Sequence, residues 1–140
     1  MTLRKLIEDR IAASITDFKE VAGAADLKAI LGGRVSTPGC YIYRERTKAT
    51  PNSGLNVVSQ LRTETIALIV TTRNVQDMRG GLSADACEAL CNLIEDQLLG
   101  WQPDTYYSPM TYSDGGLLLL NDGLHYWRDV YQSTVTIRGL

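Results

Sequence analysis

Five consecutive residues, Ile66-Ala67-Leu68-Ile69-Val70, restrict this chain more than any others. Successive side chains of an extended strand point to opposite faces, so a run apolar on both must lie mid-sheet, covered by helices or by a neighbouring subunit. The strand candidate around it runs from Val57 to Thr72. Its earlier part, Ser59-Gln60-Leu61-Arg62-Thr63-Glu64, alternates polar with apolar and is expected to project from the core into a half-exposed region. A strand that outgrows its own core is suited to pairing with something else. The expected fold is α/β in the α+β sense: a mixed, largely antiparallel sheet with amphipathic helices packed on it, forming a single domain over residues 1–140.

At 140 residues, 44% hydrophobic and 21% charged, the chain is expected to bury one core and falls outside the disordered class. Its longest apolar runs, Ile66–Val70 and Leu117–Leu120, are far short of the ~20 residues of a membrane helix. Met1-Thr2-Leu3-Arg4-Lys5 lacks the apolar core of a signal peptide, and a cytoplasmic setting is expected. Cys40, Cys87 and Cys91, an odd number without framework spacing, fit that compartment. Cys87 and Cys91 have metal-ligand spacing on a helix, but His125 is the sole histidine and no further ligand is suitably spaced. Buried thiols are the expectation.

The net charge of -2 conceals an uneven distribution. Residues 1–79 sum to +4, residues 80–127 carry seven acids and no Lys or Arg, and the last thirteen residues add +1. A block of one sign implies a dipolar surface, or else a solvated acidic helix face with no partner.

The N-terminal stripe Leu3, Leu6, Ile7, Ile11, Ile15 predicts an amphipathic helix capped by Thr2. Phe18–Val21 reads as a short strand and Gly23–Leu31 as a short helix ended by Gly32-Gly33. Gly39–Tyr43 is rich in strand formers. Arg44 to Gly54, charged and then turn-forming, predicts an exposed, mobile connection. Its basic residues lack the aromatic interleaving of a nucleic-acid reader. Asn74 to Gly81 is expected as a loop. Ser83 is the expected N-cap of the main helix, with Leu82 stapling onto Cys87. That helix buries Cys87, Leu90, Cys91, Ile94 and Leu98, turns Glu88, Asn92, Glu95 and Asp96 outward, and stops at Leu98-Leu99-Gly100-Trp101-Gln102-Pro103. Beyond it, Asp114-Gly115-Gly116 and Asn121-Asp122-Gly123 read as turns flanking a Leu117–Leu120 strand, and Leu124–Ile137 reads as the last strand.

Nothing here converges on catalysis. Gly32-Gly33, Gly80-Gly81 and Gly115-Gly116 lack the spacing and lysine of a phosphate loop. His125 is the sole candidate base. Asp129 shares its strand face, but the Cα atoms would be roughly 13 Å apart, too far for a dyad with Ser108, Ser113 or Ser133 nearby. A surface histidine is expected, and neither an enzyme nor a cofactor.

Taken in order, these motifs resemble the tail terminator (tail completion) proteins of long-tailed bacteriophages. The resemblance rests on the N-terminal helix, Val21-Ala22-Gly23-Ala24-Ala25-Asp26-Leu27, Tyr41 in the strand after Pro38, Gln60 opening the long strand, and Thr71-Thr72-Arg73-Asn74 closing it. It continues through Gly80-Gly81, Leu98-Leu99-Gly100-Trp101-Gln102-Pro103, Gly115-Gly116-Leu117-Leu118 and Trp127 with Val130-Tyr131. Gly39-Cys40 departs from the small apolar pair expected there. The resemblance implies a homo-oligomeric ring of six subunits on the end of the tail tube. Such a ring stops tube polymerisation, docks the head-neck connector and, in contractile tails, meets the sheath protein. DNA passes through the lumen without specific binding, and no membrane is involved. Assembly in the host cytoplasm and residence at the tail-neck junction of the virion follow. Another neck or head-tail joining module is the alternative, and a small intracellular ligand-binding or enzymatic domain a further one. Under the ring reading, Arg44, Arg46, Lys48, Asn52, Gln60, Arg62, Trp101, Tyr106 and Tyr107 are candidates for subunit or tube contact. Core packing is the competing role for Trp101. Asp85, Glu88, Glu95 and Asp96 are candidates for a lumen or axial face, where like charge keeps DNA from sticking.

Overall fold

The computed structural model describes residues 1–76 and 79–139. In chain order the elements are α1 (Leu3–Ser14), β1 (Glu20–Gly23), α2 (Leu27–Gly32), β2 (Gly39–Ala49), β3 (Val58–Arg73), α3 (Gly81–Leu98), β4 (Thr111–Asn121) and β5 (Leu124–Gly139). The strands form one five-stranded sheet in the order β1-β2-β3-β5-β4. β1 pairs in parallel with β2, and the other ladders are antiparallel. The fold is α+β, as expected.

β3 is central. Ile66, Ala67, Leu68, Ile69 and Val70 are all fully buried. Ile66, Leu68 and Val70 point to the front face, where they meet Leu3, Ile7 and Ile11 of α1 and Cys87, Ile94 and Leu98 of α3. Ala67 and Ile69 point to the back face against Tyr41, Tyr43, Tyr126 and Val130, with Ile30 of α2 over them. Both covers come from within the chain. Each fully buried Ile or Leu contributes roughly 1.5–3 kcal/mol of transfer free energy, so α1 and α3 are held chiefly by their stripes.

The caps show which local signals prevail. Thr2 accepts from the backbone N–H of Lys5 at the start of α1, and Asp26 accepts from that of Ala29 at the start of α2. At α3 the expectation fails: the N-cap is Gly80, in a left-handed conformation with φ of 80°. Ser83 lies inside the first turn, where its buried hydroxyl donates to the Gly123 carbonyl at 2.9 Å. Leu82 is 61% exposed and lies within the helix, not before it at the position a staple requires. Part of the loop expected over 74–81 lies outside the described residues. At the other end of α3, Gly100 takes φ of 79°, the left-handed stop that Leu98–Pro103 predicts.

Two expected connections are strand instead. β2 continues through Arg44–Ala49, hydrogen-bonded to Arg62–Ile66 of β3 after a register shift between Arg44 and Arg46. β1 covers only Gly39–Ile42 of β2, so residues 44–49 form an open edge, where charged side chains block unwanted pairing. The connection that remains, residues 50–57, is organised by Asn52, whose Oδ1 accepts from the N–H of Gly54 and of Ser59. Asp114-Gly115-Gly116 is likewise no turn: it lies inside β4, flanked by register shifts at Tyr112/Asp114 and Leu117/Leu119. Only Asp122-Gly123 turns the chain, with φ of 51° and 80°, the type I′ geometry that a two-residue hairpin requires.

Candidate functional site

Three surfaces could carry function: an arm made of the outer halves of β2, β3 and β5, the exposed face of α3, and a cleft between α3 and the front of β4–β5.

In the arm, burial ends abruptly. β2 is buried through Tyr43 and exposed from Arg44 onward, and β3 is exposed or half-buried before Glu64. Leu55, Val57, Val58 and Leu61 are exposed at its tip. Arg44 and Arg62 flank the buried carboxylate of Glu64 at 4.0 and 3.8 Å, and the Tyr107 hydroxyl donates to it at 2.7 Å. Desolvation, and then that carboxylate, push the Tyr107 phenol up to about 12. Three of the expected contact residues therefore serve the base of the arm. Gln60 donates to the Thr50 carbonyl at 2.8 Å, and Asn52 is spent on its own loop. Register places Arg46 opposite Thr65 and Lys48 opposite Thr63, both on the back face. Both are exposed, and neither has an acidic partner among the described residues. Arg128, nearby, is taken by Glu45 and by Asp114.

Trp101 is half-buried against the front core beneath the Arg10 guanidinium, 4.7 Å from its ring centroid. Its core role is real, with one face left to a cation. Tyr106 is 77% exposed and free to meet a partner. On α3, Asp85, Glu88, Glu95 and Asp96 are all exposed, as expected. None forms an ion pair among the described residues.

The third surface, the cleft, is only partly foreshadowed by the sequence. Its volume is about 420 Å³, with Glu88, Cys91, Asn92 and Glu95 of α3 on one side and Tyr112, His125, Trp127 and Asp129 of the sheet on the other. Asp129 is 4% exposed. Its Oδ1 accepts from Tyr112 Oη at 2.9 Å and from Trp127 Nε1 at 2.8 Å. A Cβ on Gly115 would collide with both the Tyr112 hydroxyl and the Asp129 carboxylate, so glycine is what lets that tyrosine reach across the strand. Desolvation and Asp129 push the Tyr112 phenol up to about 12.

His125 is buried, not on the surface: β5 carries it under α3, 6.5 Å from Trp127 in a near-parallel stack. Burial lowers its pKa below 6.5, and its Nδ1 has no hydrogen-bond partner among the described residues. Trp127 stands between it and Asp129 on the strand face, so the two do not form a dyad. Cys40 and Cys87 are buried thiols, and Cys91 is half-buried at the cleft with its Sγ 3.9 Å from that of Cys87. That contact and burial raise the Cys91 pKa. The signal for the cleft was the spacing His125, Trp127, Asp129 on one strand face. Its fourth wall, Tyr112, depends on two β4 register shifts that alternation does not predict.

Among curated proteins none matches this chain in sequence. Among solved structures it is similar to a chain of the "Virion of native gene transfer agent (GTA) particle", with a TM-score of 0.55, 13% identity, and coverage of 96% of this chain and 95% of that one. At that identity the likeness is one of fold. The model of the family described as "Phage tail terminator protein" matches residues 3–139, and the chain belongs to that family of structural phage tail proteins, components of the virion.

Proposed function

We propose that this chain caps the phage tail tube as a six-subunit ring, stops tube polymerisation and forms the docking surface for the head-neck connector. It acts through its surfaces, without catalysis. Assembly takes place in the host cytoplasm and the ring stays at the tail-neck junction. Family membership supports the general role. The observation that carries the ring reading is the arm: three paired strands run past the core and end in Leu55, Val57, Val58 and Leu61, all exposed. An isolated subunit gains nothing by exposing such a tip, and contiguous exposed apolar surface marks an interaction site. A second apolar patch, Leu117–Leu120, lies on β4, whose outer edge is unpaired among the described residues. A ring needs two different patches on each subunit, since head-to-tail contacts are heterologous. Asp85 and Asp96, on the flank of α3 away from the cleft, suit the lumen or an axial face, where they repel passing DNA.

Purified protein mixed with tail tubes tests this under the electron microscope. Closed rings at tube ends, with tube growth halted, are expected. Binding only to the head portal, with tube length unregulated, would assign the chain to a joining role instead. Leu55→Ser/Leu61→Ser should abolish end binding while leaving the thermal melt unchanged.

A further inference from the structure

We propose that the cleft beneath α3 is a socket for basic side chains of a second copy of this chain, Arg46 and Lys48 of the neighbour's arm. The inference rests on the ring reading and names one of its contacts.

The charge of the cleft is unbalanced. Asp129 is a buried carboxylate with no cation in ion-pair distance among the described residues, and Glu88 and Glu95 stand at the cleft mouth. Among the described residues no Lys or Arg lines the cleft. A buried anion compensated only by neutral donors favours an added cation, because the interaction is strengthened where water is excluded.

An independent observation comes from His125, which is 5% exposed, lines the cleft and leaves Nδ1 without a partner among the described residues. A neutral imidazole offers one acceptor nitrogen, and a guanidinium or ammonium supplies only donors. The aromatic walls point the same way. Trp127 and Tyr112 present π surface, and a cation over such faces gains roughly 0.5–2 kcal/mol. The volume, about 420 Å³, admits two long side chains.

The occupant follows from what the chain leaves unpaired elsewhere. Arg46 and Lys48 lie two apart on one strand face, roughly 7 Å along the strand. Glu88 and Glu95 lie two helical turns apart, roughly 10.5 Å, a difference that flexible side chains span. The two sets cannot meet within one subunit: the cations are on the back of the sheet and α3 is on the front. A contact between them is therefore intermolecular and joins unlike patches, the type that closes into a ring when the rotation permits.

Zero-length carbodiimide coupling of an equal mixture of isotopically light and heavy full-length protein, incubated with tail tubes, tests it directly. Mixed-isotope peptides joining Lys48 to Glu88 or Glu95 are expected. Glu88→Lys/Glu95→Lys and Arg46→Glu/Lys48→Glu should each weaken ring formation about tenfold or more, and the chain carrying all four changes should recover it. Should the lysine variants fold poorly by circular dichroism, Glu88→Gln/Glu95→Gln replaces them. Normal rings from the cleft variants would overturn the socket while leaving the ring reading standing. Intact rings that no longer bind another tail protein would assign the cleft to that protein and overturn the socket as well. Wild-type protein that caps tubes without forming rings would overturn both.

Discussion

A carboxylate that is 4% exposed must draw compensation from its neighbours, and Asp129 does so with two neutral donors, the Tyr112 hydroxyl and the Trp127 indole N–H. Replacing Tyr112 with Phe removes one donor while keeping the ring that lies edge-on to Tyr131. The expected loss is about 1–2 kcal/mol, measured by urea unfolding at neutral pH. The same variant should delete one late-ionising phenol from the alkaline absorbance titration, where the Tyr112 and Tyr107 phenols are pushed up to about 12. The linkage has a definite sign. A phenol whose folded pKa exceeds its unfolded value of about 10 holds its proton in the folded state, so its stabilisation is complete below that pH and declines toward pH 12. His125 acts at the other end. Burial lowers its pKa below 6.5, so unfolding takes up a proton as the pH falls through that value, and stability present above it is lost below. The urea midpoint should drop between about pH 7.5 and 5.5 in the wild type and stay level over that window in His125→Gln. An equal drop in the variant would remove His125 as the cause.

Among the elements, the β4–β5 turn has the most depending on a single residue. The Gly123 carbonyl accepts from both Asn74 N–H and Ser83 Oγ, joining the end of β3, the first turn of α3 and the hairpin. Gly123 has φ of 80°, and a Cβ there would strike the Asn74 backbone. Gly123→Ala should therefore cost more than about 1 kcal/mol, well beyond the effect of Ser83→Ala, which removes one hydrogen bond and no backbone freedom. Thermal melts of the two variants measure the difference. This turn was legible in the sequence because Asp-Gly at a two-residue connection has one good geometry. So were α1, α3 and β3, whose periodicities coincide with what tertiary packing demands. The outer half of β2 was not, because its charged residues have weak strand propensity and are held in place by β3, a partner that alternation within one segment does not reveal. Asp114-Gly115-Gly116 misled for the opposite reason: Gly115 makes room for Tyr112 in place of turning the chain. The cleft was half legible, its β5 wall in the spacing of 125, 127 and 129, its Tyr112 wall hidden by two register shifts.

At the scale of the whole molecule, two forces are available for association, and they respond to salt in opposite directions. The chain is +4 over residues 1–79 and carries seven acids and no Lys or Arg over residues 80–127. Its back-face arm cations and its α3 carboxylates are solvent-exposed and unpaired among the described residues. The arm tip and Leu117–Leu120 are apolar. Raising NaCl from about 0.05 to 0.5 M shrinks the screening length from over 10 Å to below 5 Å, which removes steering between charged patches and leaves apolar contact nearly intact. Sulfate at equal ionic strength screens the charges and also strengthens apolar burial. If the charged surfaces guide subunits into register and the apolar tips then hold them, NaCl should slow ring formation severalfold while leaving completed rings intact. Sulfate should slow formation in the same way and make completed rings harder to dissociate. Stopped-flow light scattering of assembly and dilution-driven disassembly read the two rates separately. Assembly rates unaffected by NaCl would mean that the uneven charge has no part in subunit encounter. Rings that fall apart in NaCl would mean that the ion pairs, rather than the apolar tips, hold the completed assembly.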